Sequence, residues 1–342
     1  MKALVVTRFD TAPQMGIEER PIPALRAGHT LVKMHAATVN PLSNQVRCGR
    51  VGAATAPLVL SNDGSGIVEQ SSRFEKGMRV ALFGGGQLGI TEDGLQQQWA
   101  LVEDKRIIVL PDHFDLDEGA ALPVNYITAY QALTRVGQVK QGQSVLVSGA
   151  SGSLGHALIQ TARALGAVPI GVVSSSAKVQ RAIDAGAEQV IDLSRYSLVR
   201  AVQAATDGQG VDLAMDVVGG EVLGQLLLAV KTRGSVVSIG FAGSTEASID
   251  VTDVVIRETR LLGYDAHLET DEDVEVALAQ IQAFIARGLL RPAIDSTYPL
   301  EQFEQAYQRL TSRHATGTII LHLQSGESFE TPEVAATPKT DA

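Results

Sequence analysis

Ser144-Val145-Leu146-Val147-Ser148-Gly149-Ala150-Ser151-Gly152-Ser153-Leu154-Gly155 is the stretch that decides the fold of this 342-residue chain. Its apolar start reads as a buried strand over 144–148, followed by a turn without bulky side chains. From 154 to 165, Leu154, Ala157, Leu158, Thr161, Ala162 and Leu165 recur at helical spacing. A strand that enters a glycine-rich turn and leaves as a helix points backbone N–H groups and a helix amino terminus at whatever lies above, and a pyrophosphate suits that place. Ala150, Ser151, Gly152, Ser153, Leu154 and Gly155 are therefore candidate ligands of a dinucleotide. Gly152 lets the backbone approach the phosphates, and Gly155 lets the helix close on the strand. The pattern is GxxGxxG rather than the commoner GxGxxG, so the assignment leans on its position as the first turn of a βαβαβ unit.

Downstream, strands are expected over 168–173, 189–191, 211–216, 235–239 and 260–263, alternating with helices over 154–165, 177–185, 198–205 and 222–230. Buried strands separated by helices imply an α/β, doubly wound parallel sheet. After the second strand the chain reads Val172-Val173-Ser174-Ser175-Ser176-Ala177-Lys178, with hydroxyls and an ammonium where a reader of a ribose 2′-OH would carry a carboxylate. Ser174, Ser175 and Lys178 can donate to a 2′-phosphate, which favours NADPH over NADH.

Upstream, short strands over 3–6, 30–36, 66–68, 79–83, 98–102 and 106–110 indicate a β-rich domain. Between them, 83–94 holds five glycines and is either a hairpin connection or a flap over a site. Past 266 come helices over 274–287 and 300–310, a turn over 288–292 and a strand over 318–323, which are expected to return to the first domain. The acidic, proline-containing stretch 324–342 is expected to be a disordered tail.

Bulk properties narrow the function. A net charge of −10 disfavours nucleic acid or anionic membrane as a partner. The amino terminus lacks a signal-peptide pattern and no apolar run approaches the roughly 20 residues of a membrane span, so a cytoplasmic protein is expected. A single cysteine, Cys48, excludes an intramolecular disulfide and a thiolate zinc cluster. The seven histidines, His29, His35, His113, His156, His267, His314 and His322, show no metal-ligand spacing. Short-chain dehydrogenases are disfavoured, because none of the six tyrosines has a Lys four positions later and the turn lies far from the amino terminus.

Val39-Asn40-Pro41 with Arg47 and Gly49, Asp63-Gly64-Ser65-Gly66-Ile67-Val68, Gly77-Met78-Arg79-Val80, Leu122-Pro123 with Thr128-Ala129-Tyr130, the glycine-rich turn, and Asp216-Val217-Val218-Gly219-Gly220 together resemble the medium-chain dehydrogenase/reductase superfamily. Within it the chain is similar to the zinc-free quinone oxidoreductase, or zeta-crystallin-like, branch. The resemblance implies a GroES-like catalytic domain from 1–122 and 267–323, a Rossmann domain from 123–266, and a homodimer. Zinc alcohol dehydrogenases carry a Cys where Asn40-Pro41 stands, a His in the segment matching Asn62-Asp63, and a four-Cys lobe missing here, so no zinc is expected.

Without a metal, the implied chemistry is hydride delivery from NADPH to a small electrophilic acceptor, a quinone or the activated C=C bond of an enone or enal. Reduction of larger conjugated acyl substrates and a non-catalytic, crystallin-like NADPH-binding role are the alternatives. By the same resemblance Asn40 lies beside the nicotinamide, Thr128 near its ribose, and Val218, Gly240, Phe241 and Ala242 against the cofactor. Gln45, Asn125 and Tyr126 are the substrate-side candidates, with Tyr126 or water as proton donor. Members often carry Asp and Tyr where Ser43 and Gln45 stand, and a phosphate-touching Tyr where Leu193 stands, with Arg195 or Tyr196 as substitutes.

Overall fold

The computed structural model describes residues 1–312 and 314–324. The amino-terminal part contains β1 (Lys2–Arg8), β2 (Gln14–Glu19), β3 (His29–Val39), α1 (Pro41–Arg47), β4 (Leu58–Val59), β5 (Asp63–Gln70), β6 (Arg79–Phe83), β7 (Trp99–Glu103), β8 (Ile107–Val109), α2 (Leu116–Ala121) and α3 (Pro123–Gln131). Then follow β9 (Ser144–Val147), α4 (Ser153–Ala164), β10 (Val168–Val173), α5 (Val179–Asp184), β11 (Gln189–Asp192), α6 (Leu198–Ala205), β12 (Val211–Asp216), α7 (Glu221–Ala229), β13 (Val230–Ser238), α8 (Val251–Arg257) and β14 (Arg260–Gly263). The chain ends in α9 (Asp271–Ala286), β15 (Ile294–Pro299), α10 (Phe303–Thr311) and β16 (Thr318–His322). No described helix is long and apolar enough to cross a membrane.

The central six strands run parallel in the order β11-β10-β9-β12-β13-β14. Counted from β9 this is the 3-2-1-4-5-6 order of a Rossmann sheet, whose direction reverses between β9 and β12 and leaves a crevice at the strands' carboxyl ends. Both faces are covered. Val145 and Val147 pack on one side with Ala157 and Leu158, while Leu146 packs on the other with Leu198 and Leu226. That is why β9 is apolar throughout rather than alternating.

The β-rich lobe has a seven-stranded sheet in which β15-β16-β3-β5-β6-β8 form the path and β7 pairs with β3, plus a three-stranded sheet β2-β1-β4. β16 runs antiparallel to β3, with Ile319 opposite Val39 and His322 opposite Ala36. The last described strand therefore belongs to the first lobe's sheet. β15 was absent from the sequence reading because Ile294-Asp295-Ser296-Thr297-Tyr298-Pro299 is polar and only half buried, and α8 because its apolar residues face solvent. Of the tail expected over 324–342, Gln324 belongs instead to the body, donating from Nε2 to the Met34 and Gln98 carbonyls. Residues 325–342 lie outside the described residues.

The segment 83–94 is a packed connection rather than a free flap. Gly84 N donates to Asn62 O at 2.6 Å and Gly94 N to Val59 O. A Cβ on Gly89 or Gly94 would stand 2.7 or 2.3 Å from the Ser61 carbonyl oxygen, so only glycine lets these backbones meet.

Candidate active site

The glycine-rich turn joins β9 to α4 at the sheet's reversal point. Gly149 has φ +60°, and a Cβ on Gly155 would lie 2.2 Å from Gly149 O, which explains the glycine at both places. A Cβ on Gly152 meets only Gly149 O, at 3.4 Å. Space outside Gly152 is thus left open at the helix terminus, where the first amides have no carbonyl a turn below them.

Two neighbouring loops are tied to this turn. Ser148 Oγ donates to Asp216 Oδ1 at 2.9 Å and accepts from Val217 N, while the same carboxylate accepts from Val218 N and Gly219 N. Ile239 N and Gly240 N donate to Asp216 O. The structure therefore brings the 149–155 turn, Val218, Gly240, Phe241 and Ala242 onto one rim, with Phe241 exposed on it. Asp216 and Ser148 set that rim. The signal for Asp216 is its place at the end of a buried strand just ahead of Val217-Val218-Gly219-Gly220, where an Asp side chain caps its own backbone.

At the end of β10, Lys178 Nζ lies 3.2 Å from Ser174 Oγ and both are on the surface. A carboxylate stands beside them after all, supplied by the adjacent strand. Asp192 ends β11, pairs in register with Val173, and accepts from Ser176 Oγ and from Ser194 N and Oγ. The Ser176 and Ser194 hydrogen bonds hold it below the usual carboxyl range. Only the strand order makes it a neighbour, so spacing from the glycines could not reveal it.

The facing wall comes from β3, α1 and β5. Asn40 caps α1, its Oδ1 accepting from Ser43 N at 2.8 Å, with Pro41 in the first turn. Its Nδ2 contacts Thr38 Oγ1, Asn62 Oδ1 and Asp63 Oδ1 at 3.1–3.2 Å. Asp63 also accepts from Thr38 Oγ1 and is 1% exposed. Burial pushes its carboxyl up to about 7, against the opposing hydrogen bonds of Thr38, Asn40 and Ser61. Gln45, on α1, is half buried and within 3.4 Å of Arg50 Nη1. The catalytic zinc of related alcohol dehydrogenases does not fit this wall. The wall offers the amides of Asn40 and Asn62 and one buried carboxyl, Asp63, rather than a thiolate or imidazole, and both ends of the Asn40 amide are already engaged.

On α3, Asn125 Nδ2 donates back to Ala121 O. Tyr126 corrects the expectation placed on it. Its ring is 1% exposed and its hydroxyl is engaged inside the fold, donating to Gln160 Oε1 of α4 at 2.6 Å. Burial raises its pKa well above the ordinary phenol value. Thr128 instead hydrogen-bonds Tyr264, which follows β14 and donates to Glu269 Oε1. Glu269 Oε2 is buried without a partner among the described residues, and burial raises that carboxyl. No sequence pattern announces this Thr128–Tyr264–Glu269 chain, because it joins α3 to the connection between β14 and α9.

Residues 26–112 match the family described as "Alcohol dehydrogenase GroES-like domain", and residues 153–283 match "Zinc-binding dehydrogenase". The chain is 32% identical over 301 residues to a rat (Rattus norvegicus) quinone oxidoreductase, covering 86% of this chain and 88% of that protein. It is 30% identical over 308 residues to the human quinone oxidoreductase, covering 88% and 91%. The solved structure of a Pseudomonas syringae quinone oxidoreductase superposes with a TM-score of 0.81 at 26% identity, covering 94% of this chain and 98% of that one.

Proposed function

The chain belongs to the medium-chain dehydrogenase/reductase superfamily, in its quinone oxidoreductase branch, and from that premise we propose that it is a zinc-independent reductase using NADPH to reduce quinones or the activated C=C bond of enones and enals. As a member of this family it is an oxidoreductase that binds a nicotinamide cofactor. The observation that carries the finer reading is the amide wall, with Asn40 and Asn62 standing where zinc ligands would be.

The nicotinamide, when bound, supplies the hydride. The 149–155 turn and the amino terminus of α4 hold the diphosphate through backbone amides. Ser174, Ser175 and Lys178 take the 2′-phosphate, with Asp192 opposing it. Val218, Gly240, Phe241 and Ala242 close the rim, and Thr128 orients the ribose. Asp63 fixes the Asn40 amide beside the nicotinamide, and Gln45 and Asn125 face the acceptor. An acceptor that needs no metal is already electrophilic, and neutral donors suffice to stabilise charge on its carbonyl oxygen as hydride adds at the β-carbon. The balancing proton reaches the neighbouring carbon from water.

A homodimer and a cytoplasmic location go with this reading. β14 is an edge strand, and Val251, Val255 and Ile256 of the neighbouring α8 are exposed, which suits pairing with a second copy. The test mixes the protein with NADPH or NADH and a panel of quinones, 2-alkenals and cyclic enones and follows nicotinamide absorbance. Tight NADPH binding with no acceptor turned over would refute the enzymatic reading in favour of a cofactor-binding protein.

A further inference from the structure

Three side chains distant in sequence meet at the seam between the carboxyl-terminal strand and the first lobe. His35 is on β3, Asp117 in the first turn of α2, and His322 ends β16. His35 Nε2 lies 2.8 Å from Asp117 Oδ1, and His322 Nε2 lies 2.8 and 3.0 Å from its two oxygens. The imidazole centroids are 5.1 Å apart, and one ligand atom from each residue falls within 4.8 Å of the others.

The backbone is arranged for this meeting. His322 and Ile320 lie on the α2 side of β16, since Ile320 packs with Ala36, Ala120 and Ala121. Strict alternation along β3 would send the side chain of His35 away from that side, because Ala36 already faces it. The register against β5 slips there: Met34 pairs with Gly66 and Ala36 with Ser65, leaving His35 as the extra residue of a bulge. Bulges re-aim side chains, and this one turns His35 onto the carboxylate.

We propose that His35, Asp117 and His322 bind a divalent transition-metal ion of the zinc or cobalt class. Two imidazoles and one carboxylate form a borderline donor set, and the partial exposure of all three leaves room for water as a fourth ligand. With the cation bound, the Nε2 lone pairs of both rings point at the metal and each neutral ring carries its proton on Nδ1. Tetrahedral zinc sets its ligand atoms about 3.3 Å apart, so the 2.8 Å His–Asp separations open by roughly half an ångström and the two imidazole nitrogens settle at the same spacing. The Asp115 carboxylate, at the start of the same helix, adds favourable field at His322. The site is separate from the amide wall: Asn40 is five residues from His35, about 16 Å of strand.

The test uses the full chain, tag removed and treated with chelator, titrated calorimetrically with zinc and followed spectroscopically with cobalt. One equivalent should bind, cobalt should show the visible bands of four-coordinate N/O ligation, and melting should rise by about 4 °C at zinc a hundredfold above its Kd. His322→Ala and Asp117→Asn should each weaken zinc by more than the ~10- to 100-fold lost with an outer-shell partner, with NADPH binding unchanged. His35→Gln, which keeps size and polarity, should do the same. No stoichiometric binding by the parent chain, or equal binding by all three variants, overturns the proposal.

Discussion

Replacing Asp63 by Asn should make the protein's stability less sensitive to alkali, by an amount that follows from the burial of this carboxyl. Asp63 is enclosed beneath Asn40, and its pKa rises from an ordinary 3.8 to about 7. Below pH 3.8 it is protonated folded and unfolded alike. Above that value the unfolded chain releases the proton while the folded one keeps it, so stability falls with rising pH until the folded group also ionises near 7. The slope is about 1.4 kcal/mol per pH unit, and between pH 5 and pH 8 the loss from this one group is about 2.6 kcal/mol. In Asp63→Asn the new side-chain oxygen still accepts from Thr38 and Asn40, but nothing titrates. Urea unfolding of both proteins at pH 5, 6, 7 and 8 should show the variant gaining on the parent by about 2.6 kcal/mol across the range. If the two stabilities keep a constant separation, Asp63 ionises as an ordinary surface carboxyl and the account of this wall is wrong.

Gly152→Val should fold, because a Cβ there meets only Gly149 O at 3.4 Å, yet lose nicotinamide binding, as circular dichroism and a direct fluorescence titration would show; unchanged affinity would give the turn another role. Gly155→Ala, with its Cβ 2.2 Å from a carbonyl, should instead destabilise the fold by about 1–3 kcal/mol, read from chemical denaturation. Lys178→Ala should weaken NADPH by about tenfold and leave NADH unchanged, whereas Asp192→Asn should tighten NADPH by about 3- to 10-fold; equal effects on both cofactors would remove the 2′-phosphate assignment. Tyr126→Phe, which removes only the hydrogen bond to Gln160, should leave kcat and its pH profile unchanged, as steady-state kinetics across pH would show; a lowered kcat would return Tyr126 to the site.

The Rossmann sheet was legible because its signals are local. A run such as Val145-Leu146-Val147 needs no knowledge of its neighbours to read as a strand buried on both faces, and the glycines after it announce the turn. The amino-terminal lobe was read less fully. Asn40-Pro41 carries a helix cap and a first-turn proline, yet α1 was overlooked because seven residues show too little periodicity. The site was legible where it is backbone, at 149–155, and obscure where it depends on strand order or on which way a ring turns. Asp192 reaches the Ser174–Lys178 segment only because β11 adjoins β10, and Tyr126 points to Gln160 because its helix packs that face on α4. The pairing of His35 with His322 joins residues from opposite ends of the chain through a bulge that periodicity does not foretell.

The placement of β16 against β3 has a consequence for how the polypeptide is made. On a ribosome, β8 leaves the tunnel some 200 residues before β16, roughly 10–40 s at ~5–20 residues per second. During that interval the nascent first lobe has an uncovered strand edge along Ala36–Val39, while the dinucleotide fold between can already complete its own sheet. The order of assembly is thus inside-out, the middle of the message maturing before its beginning. A holdase that shields bare strands would serve this chain best in the seconds before translation ends.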